Sequence, residues 1–166
     1  MTDIVARSVR SRIMRSIRGR DTQPELLLRR ALHARGFRYR LHRRIADTRP
    51  DLVLPRWRAV IMVHGCFWHR HPGCKFAYTP RSRTRFWREK FRENVARDER
   101  DLARLRAAGW RVLIVWECGL RDRRLRESVL EQAAKWLRSR STRMELPGRA
   151  ASEKRATRMS NTSRDP

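Results

Sequence analysis

Lysine is nearly missing from this 166-residue chain: it stands only at positions 75, 90, 135 and 154, although Lys and Arg together number 42 against 17 Asp and Glu. The formal net charge of +25 is therefore almost wholly arginine, whose planar fork suits phosphate and guanine better than an ammonium does. Acidic residues are too few to balance this charge, which points to a polyanionic partner. No apolar run approaches the roughly 20 residues needed to span a bilayer. The N-terminal stretch MTDIVARSVRSR lacks the apolar centre of a secretory signal, so a cytoplasmic protein without a membrane partner is expected. Cysteine is also scarce and odd in number, at three, which argues against a disulfide framework and leaves metal ligands or inert thiols. Apolar residues make up 40% of the chain, enough for one ordinary domain.

Val9, Ile13, Met14 and Ile17 recur at helical spacing among Arg and Ser, the pattern of a short basic amphipathic arm over residues 1–20. Thr22 and Glu25 have capping-box spacing, and the helix they start runs from Gln23 to Arg35 before Gly36, with Leu27, Leu28, Ala31 and Leu32 inward. Phe37, Tyr39 and Leu41 alternate with arginines as a half-buried strand. Asp51 to Leu54 and Ala59 to Val63 read as a hairpin. Residues 64–79 have no periodicity and read as a loop that something else must order. A long helix follows over 84–108, then a strand at 110–116 apolar on both faces, then a helix carrying Leu125, Val129, Ala133, Trp136 and Leu137. Residues 141–166, rich in Ser, Thr and Arg, read as a disordered basic tail, leaving one folded domain at 21–140. There is no internal repeat.

Within the aperiodic loop, Cys66, His71 and Cys74 are spaced C-x4-H-x2-C, and Cys118 follows the last strand. A Cys3His set suits tetrahedral Zn²⁺ with no cysteine left over, and a closed set is structural rather than catalytic. Binding would supply the ordering free energy that so short a loop cannot find by burial. The alternative is that these are unpaired thiols in the interior, with Cys118 the weakest of the four by spacing. Pro50-Asp51, at the start of a strand, reads by itself as a turn.

The run His64-Gly65-Cys66-Phe67-Trp68-His69-Arg70-His71 changes that reading, together with Arg49-Pro50-Asp51, Thr84-Arg85-Phe86-Trp87 and Asn94-Val95-Ala96-Arg97-Asp98. From about Ser11 to Trp136 the chain resembles the very short patch repair endonucleases, the Vsr family, in motif order and nearly in spacing. The resemblance implies an α/β fold of the PD-(D/E)XK nuclease type in a variant form. A central mixed β-sheet is flanked by helices, with a zinc-stabilised loop insertion, and the endonuclease domain falls at 21–140. The implied activity is a DNA nick 5′ to the T of a T:G mismatch left by deamination of 5-methylcytosine. The strand Ala59-Val60-Ile61-Met62-Val63 departs from the wider superfamily, offering neither its acidic residue nor its lysine.

Carried over by motif, Asp51 and the backbone carbonyl of Val63 bind catalytic Mg²⁺, while His64 and His69 act on the attacking water and the phosphate or leaving oxygen. Glu25 and Asp98 match supporting carboxylates that orient His69 and His64 respectively. By position alone they read as a capping residue and a solvated helix face. Phe67, Trp68 and Trp87 match an aromatic wedge that enters the duplex beside the mismatch, with a core position on its helix as the rival reading of Trp87. Met14 matches a region that embraces DNA from the minor-groove side, or is ordinary packing. The implied partners are double-stranded DNA with a T:G mismatch, mismatch-repair proteins and an associated cytosine-5 methyltransferase, and a monomer is expected. The rival readings are a restriction-type endonuclease and a zinc-dependent DNA-binding module without catalysis.

Overall fold

The computed structural model describes residues 20–148, so the arm with Met14, and residues 149–166, lie outside the described residues. In order come α1 (Gln23–Ala34), β1 (Arg40–Leu41), β2 (Leu52–Leu54), a 3-10 turn (Pro55–Trp57), β3 (Ala59–His64), α2 (Cys66–His69), α3 (Thr84–Ala107), β4 (Arg111–Trp116), α4 (Glu117–Arg121), α5 (Arg123–Arg138) and β5 (Arg143–Leu146). The strands form one mixed sheet in the order β1-β2-β3-β4-β5. The β1–β2 and β2–β3 pairs are antiparallel, and β3–β4 and β4–β5 are parallel.

The inner strands are apolar throughout because both faces of the sheet are covered. Leu52, Leu54, Ala59, Ile61, Leu113 and Val115 face one core, closed by Leu28 and Leu32 of α1, Leu120 of α4 and Val129, Ala133 and Leu137 of α5. Their neighbours along the strands, Val53, Val60, Val112, Ile114 and Trp116, face a second core with Leu105 of α3, Cys66 and Cys118. The expected α/β sandwich with helices on both sides of a central mixed sheet is therefore what the chain forms, and α1 and α3 lie on opposite faces.

Besides the added short helix α4, three elements differ from expectation. The first strand is only two residues long, although Phe37 just before it is buried. Residues 66–69 form a helical turn inside the segment that reads as loop. The third difference corrects a boundary: Arg143–Leu146, inside the expected disordered tail, pairs in parallel with β4 through Val112↔Arg143 to Val115↔Leu146. The polar flanks hide this strand, but Met144 and Leu146 alternate with Arg143 and Glu145, and Leu146 is 2% exposed.

Arg111 ties the strand's entry to the helix before it. Its guanidinium lies over the Trp136 ring at 4.4 Å and donates to the carbonyls of Trp136 (2.6 Å), Leu137 (3.1 Å) and Ser141 (2.8 Å). Beyond the strand, Pro147 packs on Gly119 of α4, where an added Cβ would lie 2.6 Å from the proline Cδ. A chain ending at Arg140 should therefore melt about 5 °C or more below one ending at Gly148, since burial of Leu146 alone is worth about 1.5–3 kcal/mol. Equal melting temperatures by calorimetry would show that β5 adds nothing to stability.

Candidate active site

The parallel register of β3 and β4 places His64 beside Trp116 at the same end of the sheet. The same offset, carried two residues on, brings Cys66 to Cys118, the pairing that sequence spacing leaves weakest. Cys66, His71, Cys74 and Cys118 each offer a ligand atom within 4.8 Å of the others. The His71 Nδ1 lies 3.4 Å from the Cys118 sulfur and 3.7 Å from that of Cys66. Bond lengths of about 2.3 Å to sulfur and about 2.0 Å to nitrogen in a tetrahedron require roughly 3.6 Å between such atoms, so the donor set and spacing fit one small cation. Hydrogen bonding from the Cys66 thiol, then from His71, pulls the Cys118 thiol down to about 5, and the same contact pushes Cys66 up. Cys66, His71 and Cys118 are buried, and the His71 ring stacks on Trp116 at 4.3 Å.

Asp51 immediately precedes β2, and the antiparallel pairing of β2 with β3 brings its carboxylate to the end of β3. The N–H of Val63 donates to Asp51 Oδ2 at 2.6 Å. In an extended strand the N–H and C=O of one residue face the same neighbour, so the Val63 carbonyl leaves β3 on the Asp51 side. Burial pushes the Asp51 carboxyl from its ordinary 3.8 up to about 6. The Val63 bond opposes that rise, the charge of Glu25 adds to it, and His42 and His69 oppose it.

His64 closes β3 and His69 closes α2. Their rings stack at 4.0 Å and 10°, so the two imidazoles expected to act together do lie together. His64 is 4% exposed, stands edge-on to Trp116 at 5.3 Å, and has a buried Nε2 without a hydrogen-bond partner. Burial, with the neighbouring His69 second, holds it well below its ordinary 6.5.

The carboxylates do not meet the histidines in the expected order. Asp98 Oδ2 lies 2.7 Å from His69 Nδ1, so Asp98 supports His69 and not His64. Glu25, 1% exposed, is paired with His42 Nε2 and Arg29 Nη1, both at 3.3 Å, and not with His69. The reason is layering: Asp98 is on α3, which shares its face of the sheet with α2, whereas Glu25 is on α1 on the other face. Its capping role also holds, one residue displaced. The Thr22 hydroxyl accepts from the Glu25 N–H at 3.5 Å, and the Glu25 carboxylate accepts from the N–H of Asp21 at 2.9 Å.

His42, Asn94 and Arg70 escape the sequence reading. His42 sits at a left-handed φ of 47°, a conformation in which a non-glycine residue stores strain, and its N–H donates to the Asp51 carbonyl at 3.1 Å. Only its location before the Pro50-Asp51 motif could have signalled it. Asn94 Nδ2 donates to the Trp68 carbonyl at 3.3 Å, tying α2 to α3. Of the expected wedge, Phe67 and Trp68 are half-buried. Trp87 is only 8% exposed and stacks on buried Phe91 at 5.7 Å. Its core reading therefore holds for the free chain.

The raised Asp51 value has a consequence for stability. Between about pH 4 and pH 6 the folded chain holds this proton more tightly than the unfolded chain, so stability falls as pH rises through that window. Above it, the ionised and buried carboxylate costs roughly 2–3 kcal/mol. Asp51→Asn keeps an acceptor for Val63 and removes the charge. Without added divalent cation it should melt about 4–10 °C higher than wild type at pH 7.5, and the gain should fade as pH is lowered toward 4. A gain that did not vary with pH would mean that Asp51 ionisation is not its source.

Comparison with known proteins gives this arrangement a family. The model of the family described as DNA mismatch endonuclease Vsr matches residues 2–75, a span that takes in Asp51, His64, His69 and three of the four cation-ligand candidates. The Type II nicking enzyme V.XorIIP of Xanthomonas oryzae pv. oryzae is 46% identical over 122 residues, covering 74% of this chain and 89% of that protein. The DNA mismatch endonuclease Vsr of Escherichia coli K12 is 44% identical over 139 residues, 82% of this chain and 88% of its own. Among solved structures, the catalytic domain of homing endonuclease I-Bth0305I aligns with a TM-score of 0.49 and 22% identity, over 70% of this chain and 94% of that one. With identity of this order over most of both chains, the chain belongs to the Vsr family of DNA mismatch endonucleases.

Proposed function

We propose that the protein is a strand-nicking DNA endonuclease that hydrolyses the phosphodiester 5′ to the T of a T:G mismatch, acting as a monomer in the cytoplasm. The observation that carries the reading is the convergence of Asp51, the main chain of Val63 and the stacked His64–His69 pair at one end of the sheet. Among the described residues, no helix is long and apolar enough to cross a membrane. Relatives named as a mismatch endonuclease and as nicking enzymes support the strand-nicking part.

Asp51 and the Val63 carbonyl would hold Mg²⁺, and Cys66, His71, Cys74 and Cys118 would hold Zn²⁺. Bound there, Mg²⁺ supplies charge stabilisation at the phosphate and acidifies a water ligand. The Asp98 bond puts the His69 proton on Nδ1, leaving Nε2 as the atom that takes a proton from water or gives one to the leaving oxygen. His64, kept neutral by burial, presents a buried Nε2 without a hydrogen-bond partner. A charge on His69 opposes one on the stacked His64, which adds to burial in keeping His64 neutral. Phe67 and Trp68 would stack where the wobble pair is opened, at less cost than at a matched pair. A cytosine-5 methyltransferase, whose product deaminates to thymine, fits as the associated activity, and mismatch-repair proteins as its co-workers.

Purified protein incubated with Mg²⁺ and with end-labelled T:G and C:G duplexes tests this reading. A nick in the T strand alone is expected. Cleavage of both strands would favour a restriction-type enzyme, and binding without cleavage a DNA-binding module. Asp51→Asn should abolish nicking and keep mismatch binding, and His69→Ala should slow nicking by about 10²-fold or more. Wild-type rates in either variant would remove that residue from the chemistry.

Metal analysis should find one zinc per chain. Cys66→Ser or Cys118→Ser should lose it with a lower yield of folded protein, because metal affinity in such a site is folding free energy. Fully active protein without zinc would overturn the assignment.

A further inference from the structure

Among the described residues, three large apolar side chains are conspicuously open to solvent: Leu41, Tyr78 at 62% and Phe86 at 46%. The two aromatic ones border the same ring cluster. Tyr78 packs on Phe67 with centroids 5.2 Å apart, and Phe86 packs edge-on to Trp87 at 5.4 Å. The cluster is rooted in the interior through Trp87 and Phe91, so these are the rings that can meet a ligand without any residue leaving the core.

The backbone that presents Tyr78 is held in place. Arg70, the residue after His69, donates to the Tyr78 carbonyl at 2.8 Å and to the Thr79 hydroxyl at 3.2 Å, and lies over the Phe91 ring at 4.3 Å. An exposed ring on a fixed backbone, with few torsions of its own, loses little entropy on stacking. Its surroundings select for an anion: from Leu52 to Arg88 the chain contains no Asp or Glu. Arg81, Arg83 and Arg85 are exposed beside the cluster, with Arg83 over the Phe86 ring at 4.6 Å. Open aromatic rings interleaved with arginine, where the arginines outnumber the nearby Glu89, are the recognition chemistry of exposed bases on a phosphate backbone.

We propose that Tyr78, with Phe86 on the same ring cluster, is a further base-stacking surface that meets a base face exposed where the duplex stack is opened, outside the Phe67–Trp68 wedge. Tyr78 is then a specificity-determining residue for opened DNA. The proposal rests on the function given above, since it needs DNA whose base stack is opened.

The test measures binding by the zinc-loaded full-length protein and its Tyr78→Ala, Tyr78→Phe and Trp68→Ala variants, with no Mg²⁺ added. The probes are a T:G duplex, the matched duplex and single-stranded oligothymidine. Tyr78→Ala should weaken the T:G duplex and oligothymidine by about tenfold, the scale of one aromatic–base stack, and the matched duplex by less than about twofold. Tyr78→Phe should bind all three as wild type does, because the ring and not the hydroxyl is the contact. An unchanged affinity in Tyr78→Ala, an equal loss on all three probes, or a Tyr78→Phe variant as weak as the alanine would overturn the proposal. If wild type shows no preference for T:G while Tyr78→Ala still loses oligothymidine, the mismatch reading fails and the stacking surface stands. If Trp68→Ala loses the T:G preference and Tyr78→Ala does not, the stacking surface fails and the mismatch reading stands.

Discussion

The parallel pairing of β3 with β4 carries both candidate sites. Its register aligns His64 with Trp116 and, through the following residues, Cys66 with Cys118. Because each strand buries alternate side chains on opposite faces, a slip of one residue would turn every apolar side chain to the wrong face. The register is therefore pinned by two cores at once. The Trp116 ring lies between the sites, edge-on to His64 and stacked on His71. The four-residue helix that bears His69 is too short to persist alone. It is held by Cys66 at one end, and by the Asn94–Trp68 and Asp98–His69 contacts from α3.

A strongly basic chain spends its few acids carefully. Glu25 is sunk between His42 and Arg29, Asp98 faces His69, and Asp51 is buried against a backbone N–H. Other acids, such as Glu89, Glu93, Glu127 and Glu131, pair with basic side chains on the surface, and the large arginine excess that is left positions a polyanion without reading its sequence. Within the candidate site, the ionised Asp51 and the unpartnered His64 nitrogen both cost stability. The site is less stable than a neutral, fully paired version would be, which is the usual condition of a surface prepared for substrate.

Periodicity and punctuation made most of the fold legible. The limits of α1, α3 and α5, the β2–β3 hairpin and the doubly buried β4 follow from apolar spacing together with Thr22, Gly36 and Gly109. β5 was hidden because an edge strand needs only two inward side chains, Met144 and Leu146, and its flanks have the composition of a tail. Helix α2 was hidden because its order comes from side-chain partners on other elements rather than from its own four residues.

The available chemistry can be read along the chain: a Cys3His set, one aspartate at a strand start, two histidines around an aromatic pair, and an excess of arginine. Those are properties of residue type and close spacing. Which of these groups meet depends on how the layers pack. Cys118 joins the quartet through a strand register set by distant packing. Asp98 takes His69 because α2 and α3 share a face of the sheet, and Glu25 takes His42 because α1 lies across it. Trp87 turns into the interior while Tyr78 is left open. Pairings of this kind depend on which layer an element occupies, and layers are chosen by the burial of whole faces, which no local spacing records.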